Sequence, residues 1–172
     1  MVTSQSNYYG SVTKGYALGE IEPRVPYVTD VVGAKNDEAF TAGQVLIYDT
    51  ANNYYKIGSA GAAITNVVVA LEDKATTADR VNVLITGMVC VKTASVLEEN
   101  DYCKIAATGQ VTKWVSGTDD LNIQAPIIFK KQADKISEGF GVKPTDATTS
   151  DPGNKVLVWV NSPLGRGINA AA

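Results

Sequence analysis

The chain has 172 residues, 45% of them apolar and 19% charged, which is enough for one packed core and too much apolar material for a disordered polymer. Its 15 Lys and Arg stand against 18 Asp and Glu, interspersed in sign, so there is no basic stripe to neutralise a phosphate backbone and nucleic acid is not an expected partner. Histidine is absent, which removes Ser-His-Asp and Cys-His nucleophiles, His-ligated zinc and the commonest general base near neutral pH.

The start, Met1-Val2-Thr3-Ser4-Gln5-Ser6-Asn7, has neither the basic flank nor the apolar run of a signal peptide. No apolar stretch approaches the roughly 20 residues needed to span a bilayer. A soluble chain made in a cytoplasm, with no membrane partner, is expected. From Met1 to about Asp30 the sequence is rich in Ser, Thr, Gly and Tyr, carries Pro23 and Pro26, and has neither helical nor strand periodicity. This reads as an extended N-terminal arm, residues 1–32. Its tyrosines, Tyr8, Tyr9, Tyr16 and Tyr27, are too many for a segment meant to stay in water, so they are the expected partner-binding residues. A disordered tail is the alternative.

A β domain is expected over residues 33–163, followed by a tail at 164–172. Val45-Leu46-Ile47-Tyr48 and Tyr54-Tyr55-Lys56-Ile57 flank Asp49 to Asn53, a hairpin closed by Asx-type turn residues. Gly58 to Ala63 reads as a flexible connection, without the GxxxxGK[ST] spacing of a phosphate loop. Asn66 to Leu71 follows as a short apolar run fit for a buried strand. After a polar turn, Val81, Val83 and Ile85 fall on one face of the next strand. Gly87 interrupts that strand before it resumes through Val89 and Val91, which predicts a bulge or bend.

The same order returns 57 residues later. Tyr102-Cys103-Lys104-Ile105, a turn at Ala107 to Gln110, and Val111 to Val115 form a second hairpin. Ile127-Ile128-Phe129 then stands for the buried strand and Val156 to Val160 for the alternating one. The copies share pattern more than identity, which fits a duplicated half or independent strands alike. The second copy carries an insert, residues 130–153, with a helical turn expected at Gln132 to Glu138 and a surface position for the whole. Many short strands at regular spacing make the fold class all-β, a compact barrel or sandwich.

Cys90 and Cys103 lack metal spacing and read as small apolar core residues, a disulfide between them being the minority alternative. The carboxylate pairs Glu72-Asp73, Glu98-Glu99 and Asp119-Asp120 lie in polar turns, where adjacent side chains point apart rather than face each other across a cleft. No calcium-loop pattern is present, although Asp119, Asp120 and Asp146 could lie near one another. Trp114, Trp159 and Tyr54-Tyr55 are candidates for stacking on a ligand, with core or interface packing the favoured role. These residues indicate no enzyme, no cofactor and no metal, and place the weight on binding and assembly.

Phe40-Thr41-Ala42-Gly43-Gln44-Val45-Leu46-Ile47-Tyr48-Asp49, then Tyr54-Tyr55-Lys56-Ile57, then Val69-Ala70-Leu71-Glu72-Asp73 leading to Val81-Asn82-Val83-Leu84-Ile85-Thr86-Gly87, resembles the capsid decoration (cement) proteins of tailed phages, the phage lambda head-decoration type among them. The resemblance covers about Phe40 to Val91, and more loosely runs to Pro163. It implies a β-tulip-like fold, often trimeric, on the exterior of the virion after synthesis in the host cytoplasm. There it would bind the major capsid protein and neighbouring copies of itself, and hold capsomer boundaries together, with the N-terminal arm running over the capsid. The insert and the second half depart from the small lambda type and put trimer geometry and copy number in question. Two other readings stay open: a subunit of an extracellular filament or surface layer, and a host- or glycan-binding module.

Overall fold

The computed structural model describes residues 16–62, 66–132, 149–150 and 155–161. Among them the chain is built from strands: β1 (Val28–Gly33), β2 (Val45–Asp49), β3 (Tyr54–Ile57), β4 (Val67–Ala70), β5 (Arg80–Lys92), β6 (Leu97–Glu98), β7 (Tyr102–Ile105), β8 (Val111–Lys113), β9 (Gln124–Gln132), β10 (Thr149–Ser150) and β11 (Lys155–Val160). Two short 3-10 turns lie at Ala107–Gly109 and Leu121–Ile123. The expected all-β, barrel-like fold is what forms. One strongly curled antiparallel sheet runs β3-β2-β4-β5-β11-β9-β7-β8, with β1 on the other edge of β5, while β6 and β10 pair separately.

Both hairpins form where the strand-like runs and turn residues placed them. In the first turn the Asp49 carboxylate accepts from the Ala51 and Asn52 N–H groups at 3.1 and 3.3 Å, and Asn53 takes a left-handed φ of 58°, as Asx chemistry allows. β4 is buried along its whole length and β5 buries Val81 and Val83 with Ile85 beside them.

The repeat in sequence is also a repeat in pairing. β1 meets β5 as Val31↔Asn82, Val32↔Val81 and Gly33↔Arg80. In the second half the C-terminal part of β5 meets β11 as Met88↔Trp159, Val89↔Val158 and Cys90↔Leu157, the same register moved by 57 residues on one strand and 77 on the other. Ile47↔Val67 likewise becomes Lys104↔Gln124. Each half also closes in the same way. The Lys35 N–H donates to the Tyr55 carbonyl at 2.8 Å in the first and the Ala94 N–H to the Val111 carbonyl at 2.7 Å in the second, so a segment leaving the first strand of each half reaches that half's hairpin. Of the two readings open to the sequence, the pairing favours a duplicated strand plan, with β5 serving as the last strand of one half and the first of the next.

Alternation on these strands separates the core. Leu46, Val68, Ala70, Val81 and Val83 pack with Phe40 inside the first half. The opposite faces of β2, β4 and β5, through Val45, Ile47, Val67, Val69 and Leu84, join Val89, Val91, Cys103, Ile127, Phe129, Val156 and Val158 in one larger cluster. The halves therefore share a core, and each fully buried aliphatic side chain contributes about 1.5–3 kcal/mol. Gly58 is part of that junction rather than a mere flexible link, because a Cβ there would come within 2.8 Å of Ile105.

Two expectations about the chain's course change. Residues 28–32 were placed in an arm without strand character, yet they lie in β1; both faces of β1 are largely exposed, so no alternation marks it, and its extended state is imposed by pairing with β5. Most of the insert, including all but Gln132 of the expected helical turn, lies outside the described residues, while Lys130 to Gln132 continue β9 and Thr149–Ser150 pair with β6. The irregularity expected near Gly87 is present: the β1 register skips Ile85 between Val28↔Thr86 and Thr29↔Leu84. Gly87 itself has φ 132°.

Candidate interaction surface

The segment before β1 lies along β5. Gly19 N–H donates to the Cys90 carbonyl at 2.9 Å, Cys90 N–H to the Glu20 carbonyl at 3.0 Å, and Glu22 N–H to the Met88 carbonyl at 2.9 Å. Leu18, Val25 and Tyr16 pack with Met88, Cys90, Leu157 and Trp159. This cover is locked by a charged cluster that no sequence pattern announced. The Glu22 carboxylate, 4% exposed, accepts from Arg24 Nε and Nη2 at 2.8 Å each and from the Tyr16 hydroxyl. The Arg24 hydrogen bonds hold its pKa down at about 2 against the opposing effect of burial. Burial, with the neighbouring carboxylate, raises that of the Tyr16 hydroxyl.

The four tyrosines assigned to partner binding therefore separate. Tyr16 is buried against its own domain. Tyr27 is exposed at the start of β1, next to exposed Val28 and close to exposed Val31. Tyr8 and Tyr9 lie outside the described residues. The resulting group of exposed apolar residues at β1 was missed at the sequence level, because exposure of a valine depends on which neighbours the sheet supplies.

Elsewhere polar groups serve the fold. Glu72 accepts from the Asn82 backbone and side chain, Asp73 from the Ala42 N–H, and Asp120 from the Asn122 N–H. Asp119 pairs with Lys104 at 2.5 Å, and Glu98 and Asp101 with Lys113 at 3.5 and 3.0 Å. Among the described residues no group of three or more Cys, Asp and Glu is placed to hold a metal ion; Asp146 lies outside them. Buried Lys74 donates to the carbonyls of Lys35, Glu38 and Ala75 at 2.9, 2.8 and 3.1 Å and sits 4.8 Å from the Phe40 ring centre, pinning the loop before β2. Trp114 is buried with its indole N–H on the Asp120 carbonyl, and Trp159 is half-buried below the Leu18 and Val25 cover. Tyr55 stacks at a tilt on Tyr48. Cys90 and Cys103 are buried and form no disulfide with each other, and burial drives the Cys103 thiol pKa far up. A cleft of about 170 Å³ between the halves is lined by Gly43, Gln44, Lys92, Thr108 and Gly109 among others, without a carboxylate. Among the described residues no helix is long and apolar enough to cross a membrane.

No family model and no curated protein matches the chain. Among solved structures, the N base of head fiber gp8.5 of bacteriophage phi29 aligns with TM-score 0.44 and 17% identity, over 78% of this chain and 94% of that one.

Proposed function

We propose that this chain is a structural virion protein that binds the outer surface of an assembled capsid and holds capsomer boundaries together, with no catalytic role. The observation that carries the reading is the group of exposed apolar residues on β1 and just before it, Tyr27 and Val31 on one face and Val28 on the other, left exposed at 49 to 52% on a domain whose other large apolar side chains are mostly packed away. Exposed apolar side chains grouped on one element mark contact surfaces. Support also comes from the strand succession β2 to β5, which occupies the residues that carry the resemblance to capsid decoration proteins, and from the tyrosines of residues 1–15. The partners are the major capsid protein and neighbouring copies, and the place of action is the capsid exterior.

In mechanical terms, a shell under internal pressure fails where capsomers separate, and a protein bound across that boundary must detach first. A few hundred Å² of apolar contact at about 25 cal/mol per Å², repeated over many sites, is a sufficient scale, though net affinity falls well below the area sum. The test compares decorated and bare particles by thermal DNA release. Shells lacking the protein should form, yet release DNA at a lower temperature, and the difference should depend weakly on salt because the charges are mixed. Equal release temperatures would refute the proposal.

A further inference from the structure

The internal repeat gives one half of the molecule as a reference for the other. In the second half, the first strand (the C-terminal part of β5) has both edges filled: β11 on one side, and residues Gly19 to Glu22 on the other through three backbone hydrogen bonds to Cys90 and Met88. The equivalent strand in the first half is β1, where Val31 stands for Met88 and Gly33 for Cys90. One edge of β1 is filled by β5.

The other edge faces outward at Val31. On β5, the Asn82 carbonyl accepts from Leu71 N–H and the Asn82 N–H donates to Glu72, both on the side away from β1. The Val31–Asn82 pair is therefore the non-hydrogen-bonded kind, and the Val31 peptide groups point away from β5. The Val31 N–H is met by the carboxylate of its own neighbour, Asp30, at 2.7 Å. From Val28 to Val31 no other described strand pairs on this side; the chain turns to the β3 hairpin only at Ala34.

We propose that this outer edge of β1 receives, as an added strand, residues 1–15 of a second copy of the chain. The internal precedent is the same chain's Gly19 to Glu22 on the equivalent edge, with the aromatic Tyr16 packed beside it. Charge favours an arm over self-pairing. Two β1 edges brought together would place Asp30 near its own copy, a repulsive contact that guards edges. Residues 1–15 contain no acidic side chain and carry Lys14.

The path decides between the chain's own arm and another's. Gly19 lies at Cys90 and Val31 at Asn82, so at about 3.3 Å per residue of β5 they are roughly 26 Å apart, and the turn closed by the Glu20 N–H on the Ala17 carbonyl leaves the Tyr16 carbonyl beside the Cys90 thiol at the same end. Fifteen residues reach at most about 50 Å. An arm folding back on its own molecule would use about eight of its residues on the distance from Gly19 to Val31, and would have to cross the segment already lying there. An arm from a neighbour arrives with its full length, and Tyr8 and Tyr9 can bury against Tyr27, Val28 and Val31. The contact is head-to-tail, which closes into a ring or continues as a chain. It deepens the proposed function by assigning the arm to copy-to-copy contact, and its test needs no capsid.

The experiment uses three full-length proteins in sedimentation velocity, each checked for an unchanged thermal melt: the native chain, an edge variant (Val31→Pro, which removes an outward N–H), and an arm variant (Thr3→Pro, Asn7→Pro and Ser11→Pro together). The native chain should self-associate, and each variant alone should associate at least about tenfold more weakly. Mixing the two variants should restore a one-to-one pair, because one supplies a sound arm and the other a sound edge. If Val31→Pro fails to fold, Val31→Lys keeps the ladder to β5 and places a charge among the exposed apolar residues. A native chain that stays monomeric, variants that associate like the native chain, or a mixture that fails to pair would each overturn the proposal. Loss of capsid binding with pairing intact would count against the proposed function alone.

Discussion

A Cβ placed on Gly87 would lie 2.6 Å from the Cβ of Tyr27. At this point β5 leaves its pairing with β1 and β4 and takes up β11, and the incoming N-terminal segment crosses onto β1. Gly87 has φ 132°, so it is required both for its backbone angle and for the close approach of Tyr27.

Gly87→Ala should therefore destabilise the domain by about 2–4 kcal/mol, combining backbone strain with a clash that has to displace Tyr27. Urea unfolding of the two proteins measures it. A change within about 0.5 kcal/mol, the ordinary range for a surface substitution, would mean that the crossing is not constrained as described.

Glu22 makes stability depend on pH in a defined window. Its folded-state pKa is about 2, below the ordinary 4.5, so its contribution is fully present above about pH 4.5 and is lost as pH falls toward 2. Arg24 is 75% exposed, and solvent reduces the expected size to about 1–2 kcal/mol. Comparing unfolding of the native chain with Glu22→Gln between pH 6 and pH 2 isolates it: the gap should narrow as acid is added. A gap independent of pH would show that the carboxylate's charge is not what holds the cover.

Gln124 is the position where duplication left a polar residue in a core site. It occupies in β9 the register place that Val67 occupies in β4, is fully buried, and neither atom of its amide has a hydrogen-bond partner among the described residues. Gln124→Leu, nearly unchanged in volume, should raise stability by about 1–2 kcal/mol by removing an unsatisfied buried amide. A loss of stability in chemical denaturation would show that the amide is satisfied in solution.

Local pattern determined much of this protein. The β-branched and aromatic runs Val45 to Tyr48 and Tyr54 to Ile57, with Asx residues between, specify the first hairpin, because strand propensity and turn chemistry are properties of adjacent residues. The spacing of 57 residues made the second hairpin visible, and the apolar run before Glu72 was short enough for a buried strand. What the sequence could not carry was whatever depends on distant neighbours. Val-Thr-Asp-Val-Val-Gly becomes β1 because β5 offers an edge to pair with; Val32 packs on the first-half core, while Val28 and Val31 are exposed because nothing in the described chain covers them. Tyr16, grouped in the sequence with Tyr27, is buried because Glu22 and Arg24 return to meet it after a turn no periodicity marks. β5 could be read as a strand on either side of Gly87. That it is one strand joining two repeated halves was decided by partners that lie up to about 75 residues away along the chain, where pairing and burial, rather than local propensity, set the conformation.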